Sequence, residues 1–241
     1  MTVGIIVQTR TGSSRLPSKV MMKADEDSIM LDYVINQLNH SKLHDKLVIA
    51  TTVLEQDDVI FDHVTNRNIE CFRGDEKNVL ERHYQCAKKY SLSTIVRIPS
   101  DKPLIDPTIV DAVIEKFQSS SYDYISNFSI NVDAGHEFFS SFPSGTEVEI
   151  FSFSALENAF KNANTAEQKE HVTPYIYENP KKFKIFTISS NKDLGKFRWA
   201  LDYEKDLQLI QIIISKIKKR PILMNDILEL FEREPELLKI N

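Results

Sequence analysis

The sequence predicts an α/β protein: a mostly parallel sheet covered by helices on both faces. Three observations carry this. Strand-like and helix-like segments alternate four times in the first half of the chain, joined by short connections. The strand segments are continuous apolar runs such as Ile5-Ile6-Val7 and Leu47-Val48-Ile49-Ala50, as expected of strands buried on both faces. The first of them runs straight into a loop of small residues and cations, Gln8-Thr9-Arg10-Thr11-Gly12-Ser13-Ser14-Arg15-Leu16-Pro17-Ser18-Lys19. In open α/β sheets, a loop at that position meets the ligand.

The elements follow in order. Gly4 bounds the first strand, and Ser28 is placed to cap a helix whose apolar positions are Leu31, Val34, Ile35 and Leu38. The second strand leads to a helix over 57–66. A short third strand over 70–73 ends at Gly74. Residues 78–90 place Val79, Leu80, Tyr84 and Ala87 on one helical face. Residues 94–98 form the fourth strand, and Pro107 opens the next helix. Near Tyr124 the regularity stops, and the polar, aromatic stretch 127–144 reads as a long loop over the site. Beyond it come a strand over 146–151, helices over 154–162 and 165–178, strands over 183–188 and 198–201, and helices over 204–218 and 225–232. The whole, 1–241, reads as one domain.

Composition narrows the function. The 241 residues are 41% hydrophobic and 27% charged, ordinary for a globular protein, and the net charge of −5 argues against general affinity for nucleic acid or anionic membranes. No apolar run approaches the ~20 residues of a spanning helix, and the start lacks a signal-peptide pattern. Cys71 and Cys86 are too few for a disulfide framework, which suits the cytoplasm.

Against that acidic background, residues 1–24 contain no Asp or Glu. Gly12 permits close backbone approach, and free N–H groups around it suit an anion. Arg10 and Arg15 offer planar forks for phosphate oxygens, Lys19 offers a mobile point charge, and Pro17 restricts the loop between them. The loop reads as a triphosphate cradle, although neither common glycine fingerprint for nucleotides is present. Two acids follow predicted strands: Asp101 in Ser100-Asp101-Lys102-Pro103, and Asp202 in Trp199-Ala200-Leu201-Asp202. Each reads either as a carboxylate ligand of Mg²⁺ or as the cap of the next helix. Asp206 reads as support for a helix start.

These residues carry a resemblance. Arg10-x-Gly12-Ser13-x-Arg15-Leu16-Pro17-x-Lys19 after an Ile-Ile-Val strand is similar to the signature loop of sugar-acid cytidylyltransferases. Gln8-x-Arg10 resembles the branch named after spore-coat polysaccharide biosynthesis protein F. The similarity runs in order from Ile5 to about Leu207. It implies a Rossmann-like nucleotidyltransferase fold and transfer of CMP from CTP to a nonulosonic-type sugar acid, with Asp101 and Asp202 holding Mg²⁺. It also implies nucleotide contacts from Gln8, Arg10, Gly12, Ser13, Arg15, Lys19, Arg73, Gly74 and Ser100, with Lys19 and Arg10 in the catalytic set. Arg73-Gly74 matches the family's ribose side, followed by the family-like Asn78-Val79-Leu80-x-Arg82. Segments 142–151 and 170–175 resemble the sugar side, implying contacts from Gly145, Glu147, Glu149, Lys169, Glu170 and His171. The resemblance also implies a nucleotide-binding half (1–126), a sugar-binding and dimerisation half (127–241), and a homodimer with 138–153 as contact or lid.

The sequence departs from the family at four places. Ser18 and Ser100 stand where glycine is frequent, Lys102 places a cation beside Asp101, and Lys169 replaces an arginine. Two rivals are a glycosyltransferase using Asp25-Glu26-Asp27 as its metal motif and a noncatalytic nucleotide-binding protein. His40 and His44 read as a solvated helix end, and His171 as an acid–base partner or a packed histidine.

Overall fold

The computed structural model describes residues 2–131 and 137–241. One seven-stranded sheet has the order β3-β2-β1-β4-β8-β5-β9. Its strands are β1 (Val3–Gln8), β2 (Lys46–Thr52), β3 (Glu70–Gly74), β4 (Thr94–Pro99), β5 (Tyr124–Ser126), β8 (Glu149–Ser152) and β9 (Ile185–Thr187). A separate hairpin pairs β6 (Ser129–Asn131) with β7 (Glu137–Phe139). Strand β1 runs parallel to both β2 and β4, and β8 is antiparallel to its neighbours β4 and β5.

Alternation along the strands divides the core between two layers. Ile5 and Val7 of β1, Ile49, and Val96 and Ile98 of β4 pack with α1 (Met30–Leu38), α2 (Asp58–Thr65) and α4 (Pro107–Gln118). Ile6, Val48, Ala50 and Ile95 face α3 (Val79–Lys89), α5 (Phe153–Asn162) and α7 (Pro174–Tyr177). Period-two burial on both faces is what the continuous apolar runs encode. A third cluster places Trp199 and Leu201 beneath α8 (Glu204–Lys216) and α9 (Met224–Arg233).

Several expectations are corrected. Ser28 does not cap α1: its N–H donates to Asp25 Oδ1, and the helix start is satisfied by Asp32, which accepts from Ile29 N at 3.0 Å. Stretch 127–144 is not wholly loop, since it contributes the β6–β7 hairpin, and the neighbouring Tyr124–Ser126 is a sheet strand. The helix expected over 165–178 is two helices, α6 (Ala166–His171) and α7, which begins at Pro174, a position proline tolerates. Between them Val172 takes a positive φ of 71°. Segment 198–201 is no sheet strand; it forms a single bridge between Ser144 and Arg198.

Strand order places the site. From β1 the chain moves outward to β2 and β3, then returns to the other side of β1 as β4. The direction therefore reverses between β1 and β4, and the loops leaving their carboxyl ends border an open crevice. Both the cationic loop and Asp101 leave from there.

Ser18 closes the loop in left-handed backbone, φ 55° and ψ 22°. A side chain there costs ~1 kcal/mol, and glycine's extra freedom when unfolded costs roughly 0.5–1 kcal/mol. Ser18→Gly should therefore leave the unfolding free energy unchanged or raise it by less than ~1 kcal/mol, while Ser18→Val should lower it by ~1 kcal/mol or more. Urea unfolding of the two variants reads both.

Candidate active site

The loop after β1 is folded upon itself. Ser13 N and Ser18 N both donate to Thr11 O, at 2.8 and 2.9 Å. Thr11 is in turn fixed from below by Asp57, fully buried in the turn before α2. The Asp57 carboxylate accepts from Thr11 N at 2.7 Å, from Thr11 Oγ1 at 2.6 Å and from Thr52 Oγ1. A buried carboxylate with three donors is satisfied and holds the loop in one shape. Sequence reasoning read Asp57 only as the start of a helix, because nothing local links it to Thr11.

The loop cations reach a cavity of about 300 Å³, whose wall includes Gln8, Arg10, Ser13, Arg15, Lys19, Ser100, Asp101 and Asp202. Lys19 Nζ lies 3.5 Å from Asp101 Oδ2 and 3.0 Å from Asp202 Oδ1, and donates to Leu201 O at 2.5 Å. Arg15 reaches Asp202 Oδ1 at 3.1 Å and stacks over Tyr203. Arg198 holds the other Asp202 oxygen at 2.7 Å. Burial pushes the Asp202 carboxyl upward, but Arg198, Lys19 and Arg15 outweigh it and hold the group below the usual carboxylate range. Asp202 arrives through a backbone bond rather than a strand: Leu201 N donates to Asp101 O at 2.8 Å, tying the two acidic segments together. Asp206 starts α8, accepting from Asp202 N and Tyr203 N at 2.8 Å each.

A second cavity of about 220 Å³ shares Pro99, Asp101 and Asp202 with the first, so both carboxylates stand on the common wall. Its other lining includes Arg97, Lys102, Phe128, Glu147, Glu149 and Arg198. Lys102 turns away from Asp101 to Glu147, 3.2 Å from Oε2 and 2.8 Å from its carbonyl. The cation expected beside Asp101 is thus neutralised. Glu149 pairs with Arg97 and accepts from Tyr124 Oη at 2.8 Å and Thr173 Oγ1 at 2.6 Å. Arg97 Nε in turn donates to Gln8 Oε1 at 2.9 Å, so the network joins both cavities. Gly145 adopts φ 108°, and a Cβ there would lie 2.8 Å from the Trp199 ring. Its N–H donates to Glu147 Oε2 at 2.9 Å.

Some expected residues lie elsewhere. The Arg73 guanidinium turns outward to Asp58 at 2.6 Å, to Thr52 O and Leu54 O, and over the Phe61 ring. Arg73, Gly74 and Gly12 are absent from the cavity wall, and Arg82 is present. Glu170 and His171 line the first cavity rather than the second, and Lys169 lines neither. Asp25 is consumed by Asp27 N, Ser28 N and Tyr33 Oη, so Asp25-Glu26-Asp27 is a local turn. A larger groove of about 590 Å³ beside α9 contains none of the expected residues.

A crevice at the sheet's switch point, with cations and two carboxylates at its mouth, defines an α/β protein of the nucleotidyltransferase type. The chain belongs to the cytidylyltransferase family, whose model matches residues 4–233. It is 35% identical over 238 residues to an uncharacterized protein of Methanocaldococcus jannaschii, covering 98% of this chain and 93% of that one. It is 28% identical over 240 residues to the spore coat polysaccharide biosynthesis protein SpsF of Bacillus subtilis, covering 96% and 94%. The solved structure of a cytidylyltransferase from Leptospira borgpetersenii serovar Hardjo-bovis superposes with a TM-score of 0.89 at 29% identity, covering 99% and 97%.

The Lys102–Glu147 pair sets a pH dependence. Burial raises the Glu147 carboxyl, but Lys102 and the N–H of Gly145 bring it below its ordinary value. A folded value below the unfolded one contributes stability above the unfolded value of ~4.3, lost as pH falls through the folded value. Glu147→Gln should cost ~3 kcal/mol at pH 7 by leaving Lys102 buried and unpaired. It should also flatten the loss of stability below pH ~4.5. Denaturant unfolding at both pH values checks this.

Proposed function

We propose that this protein transfers CMP from CTP to a sugar acid of nonulosonic type, releasing pyrophosphate. The observation that carries the reading is the convergence of Asp101 and Asp202 on the wall common to two cavities, with Lys19 of the first cavity beside both. One cavity has the loop cations for a triphosphate, and the other, lined by Arg97, Lys102 and Arg198 each paired with a carboxylate, is the space for an acceptor. The signature loop of the sugar-acid enzymes supports the choice of acceptor. The similarity to a spore coat polysaccharide protein supports an activated sugar destined for a glycan.

The residues perform the reaction by position and charge. The acceptor hydroxyl, held against the shared wall, attacks the α-phosphorus in line, and pyrophosphate departs toward Arg10, Arg15 and Lys19. Phosphoryl chemistry of this type depends on orientation and charge neutralisation rather than a covalent intermediate. Arg15 and Lys19 exchange their contacts with Asp202 for phosphate oxygens, so binding needs little reorganisation.

Asp101 and Asp202 fit Mg²⁺: two hard carboxylates gather around one cation in the structure, the Lys19 ammonium. Among the described residues no group of three His, Cys, Asp or Glu side chains assembles, so substrate oxygens would complete the set, as Mg²⁺ prefers. When bound, the ion would supply charge stabilisation at the transferring phosphoryl group.

We also read the protein as a cytoplasmic homodimer. Both cysteines are free thiols, which fits a reducing compartment. Within 138–153 the exposed aromatics are Phe138 and Phe139, the surface available for contact, whereas Phe151 is fully buried. A dimeric mass by light scattering is expected; a strict monomer at assay concentration would refute it.

The reading is tested by pyrophosphate release from each of four nucleoside triphosphates against sugar acids and neutral sugars. Release with CTP and a sugar acid is expected; release of a nucleoside diphosphate from a nucleotide-sugar would favour a glycosyltransferase. Asp101→Asn and Asp202→Asn should each reduce turnover by ~10²-fold or more. The double variant should be little worse, because residues acting as a unit are non-additive. Near-normal turnover in either single variant would remove the metal assignment, since asparagine caps helices as well as aspartate.

A further inference from the structure

Burial along the chain changes abruptly at Val172. Before it, every residue of α6 is exposed except Gln168. After it, Thr173, Pro174, Tyr175 and Ile176 are buried, and the Val172 side chain lies fully within the core layer of α3 and α5. Gln168 ties α6 down: it shares a capping box with Thr165, and its Nε2 donates to Glu178 Oε2 at 2.7 Å. A segment with no buried apolar side chain of its own opens more readily than the core it lies on.

At this boundary the backbone is strained. Val172 has φ 71° and ψ −54°, and Thr173 N donates to His171 O at 2.9 Å, closing a three-residue turn of the rare, strained hand. A β-branched residue at positive φ is an outlier, whereas glycine takes that conformation without steric cost. The turn divides its neighbours between the two cavities. Glu170 and His171, before it, line the first. Thr173, after it, donates at 2.6 Å to Oε1 of Glu149, in the wall of the second. Rotation about the N–Cα bond of Val172 relaxes the turn and swings residues 166–171 away from the first cavity, while the buried side chain and Thr173 stay in place. Glu170 Oε1 is 4.0 Å from Arg10 Nη2, too far for a hydrogen bond to hold it there.

On the CMP-transfer reading, we propose that residues 166–171 are a clip that closes over the bound nucleotide, with Val172 as its hinge. A nucleoside offers hydroxyls to the Glu170 carboxylate and a flat base to the His171 ring. Those contacts exist only in the closed form, so the ligand selects it. Strain at Val172 favours the open form and lowers the apparent affinity by the fraction of protein that is closed. Val172 is thus a positioning residue that acts through Glu170 and His171.

Two measurements with CTP, both without acceptor, test the clip. In hydrogen exchange of the wild-type protein, amides of 166–171 should exchange ~5-fold more slowly or slower still with CTP bound, the scale of the strain to be overcome. Val172→Gly and Val172→Ala both remove the buried isopropyl group and differ chiefly in the cost of positive φ. By calorimetry, Val172→Gly should bind CTP at least ~5-fold more tightly than Val172→Ala. Equal CTP affinities, with the difference confined to the unfolding midpoints, make the turn structural only and overturn the clip. Exchange at 166–171 that bound CTP leaves unchanged also overturns it, and that result decides if the variants do not fold. Wild-type protein that binds neither CTP nor CMP overturns the CMP-transfer reading, and the clip with it.

Discussion

The site depends on a charge problem and its solution. Two carboxylates from distant segments are brought to one wall, where their repulsion would open the crevice if nothing lay between them. The Lys19 ammonium lies between them, and Arg15 and Arg198 hold Asp202 from two further directions. At an effective dielectric near 20, unit charges at such separations interact by about 4 kcal/mol, so the compensation decides whether the segments pack. The same arrangement leaves the carboxylates poised around a cation and the cations poised beside an anion. That is what the proposed exchange with a metal-bound triphosphate needs.

Two buried carboxylates keep these charges in place. Asp57 grips the backbone and hydroxyl of Thr11 and so sets the loop that carries Arg10, Arg15 and Lys19. Glu149 gathers Arg97, Tyr124 and Thr173, and through Arg97 orients Gln8. Each accepts from three protein donors. Glu149 in particular, expected among the sugar contacts, already spends both oxygens on protein donors. From the wall of the second cavity it fixes Arg97, which lines the same cavity. Rigid positioning of this sort is what removes reorganisation from a phosphoryl transfer.

Three of the residues with positive φ lie where the chain changes direction around the site. Ser18 turns left-handed so that its N–H can close the cationic loop on Thr11. Gly145 does so to pass beneath Trp199, and Val172 does so between α6 and α7, where Glu170 and His171 meet the first cavity. Such conformations persist only when their surroundings over-determine them. Here the surroundings are the buried Thr11–Asp57 contact, the Trp199 ring and the fully buried Val172 side chain.

Local patterns determined much of this molecule. Apolar runs of the right length, helical spacing in Leu31, Val34, Ile35 and Leu38, and Pro107 at a helix start specified the parallel half of the sheet and its two helical layers, because burial periodicity is written residue by residue. The cationic loop and Asp101 were legible for a related reason: each follows directly from a strand whose end must face the crevice. Other features depended on contacts between segments far apart in the chain. Segment 198–201 looked like a strand but is held by single backbone bonds to Ser144 and Asp101. Arg73 and Arg82 are equally cationic in the sequence. Only the packing of Arg73 on Asp58 and Phe61, and the gap left by Gly74, turned one outward and the other into the cavity. Asp57, Glu149 and Lys102 likewise gained their partners across the fold. A side chain's type is local, but its direction is set by whichever neighbours the topology supplies, and the sequence does not state those.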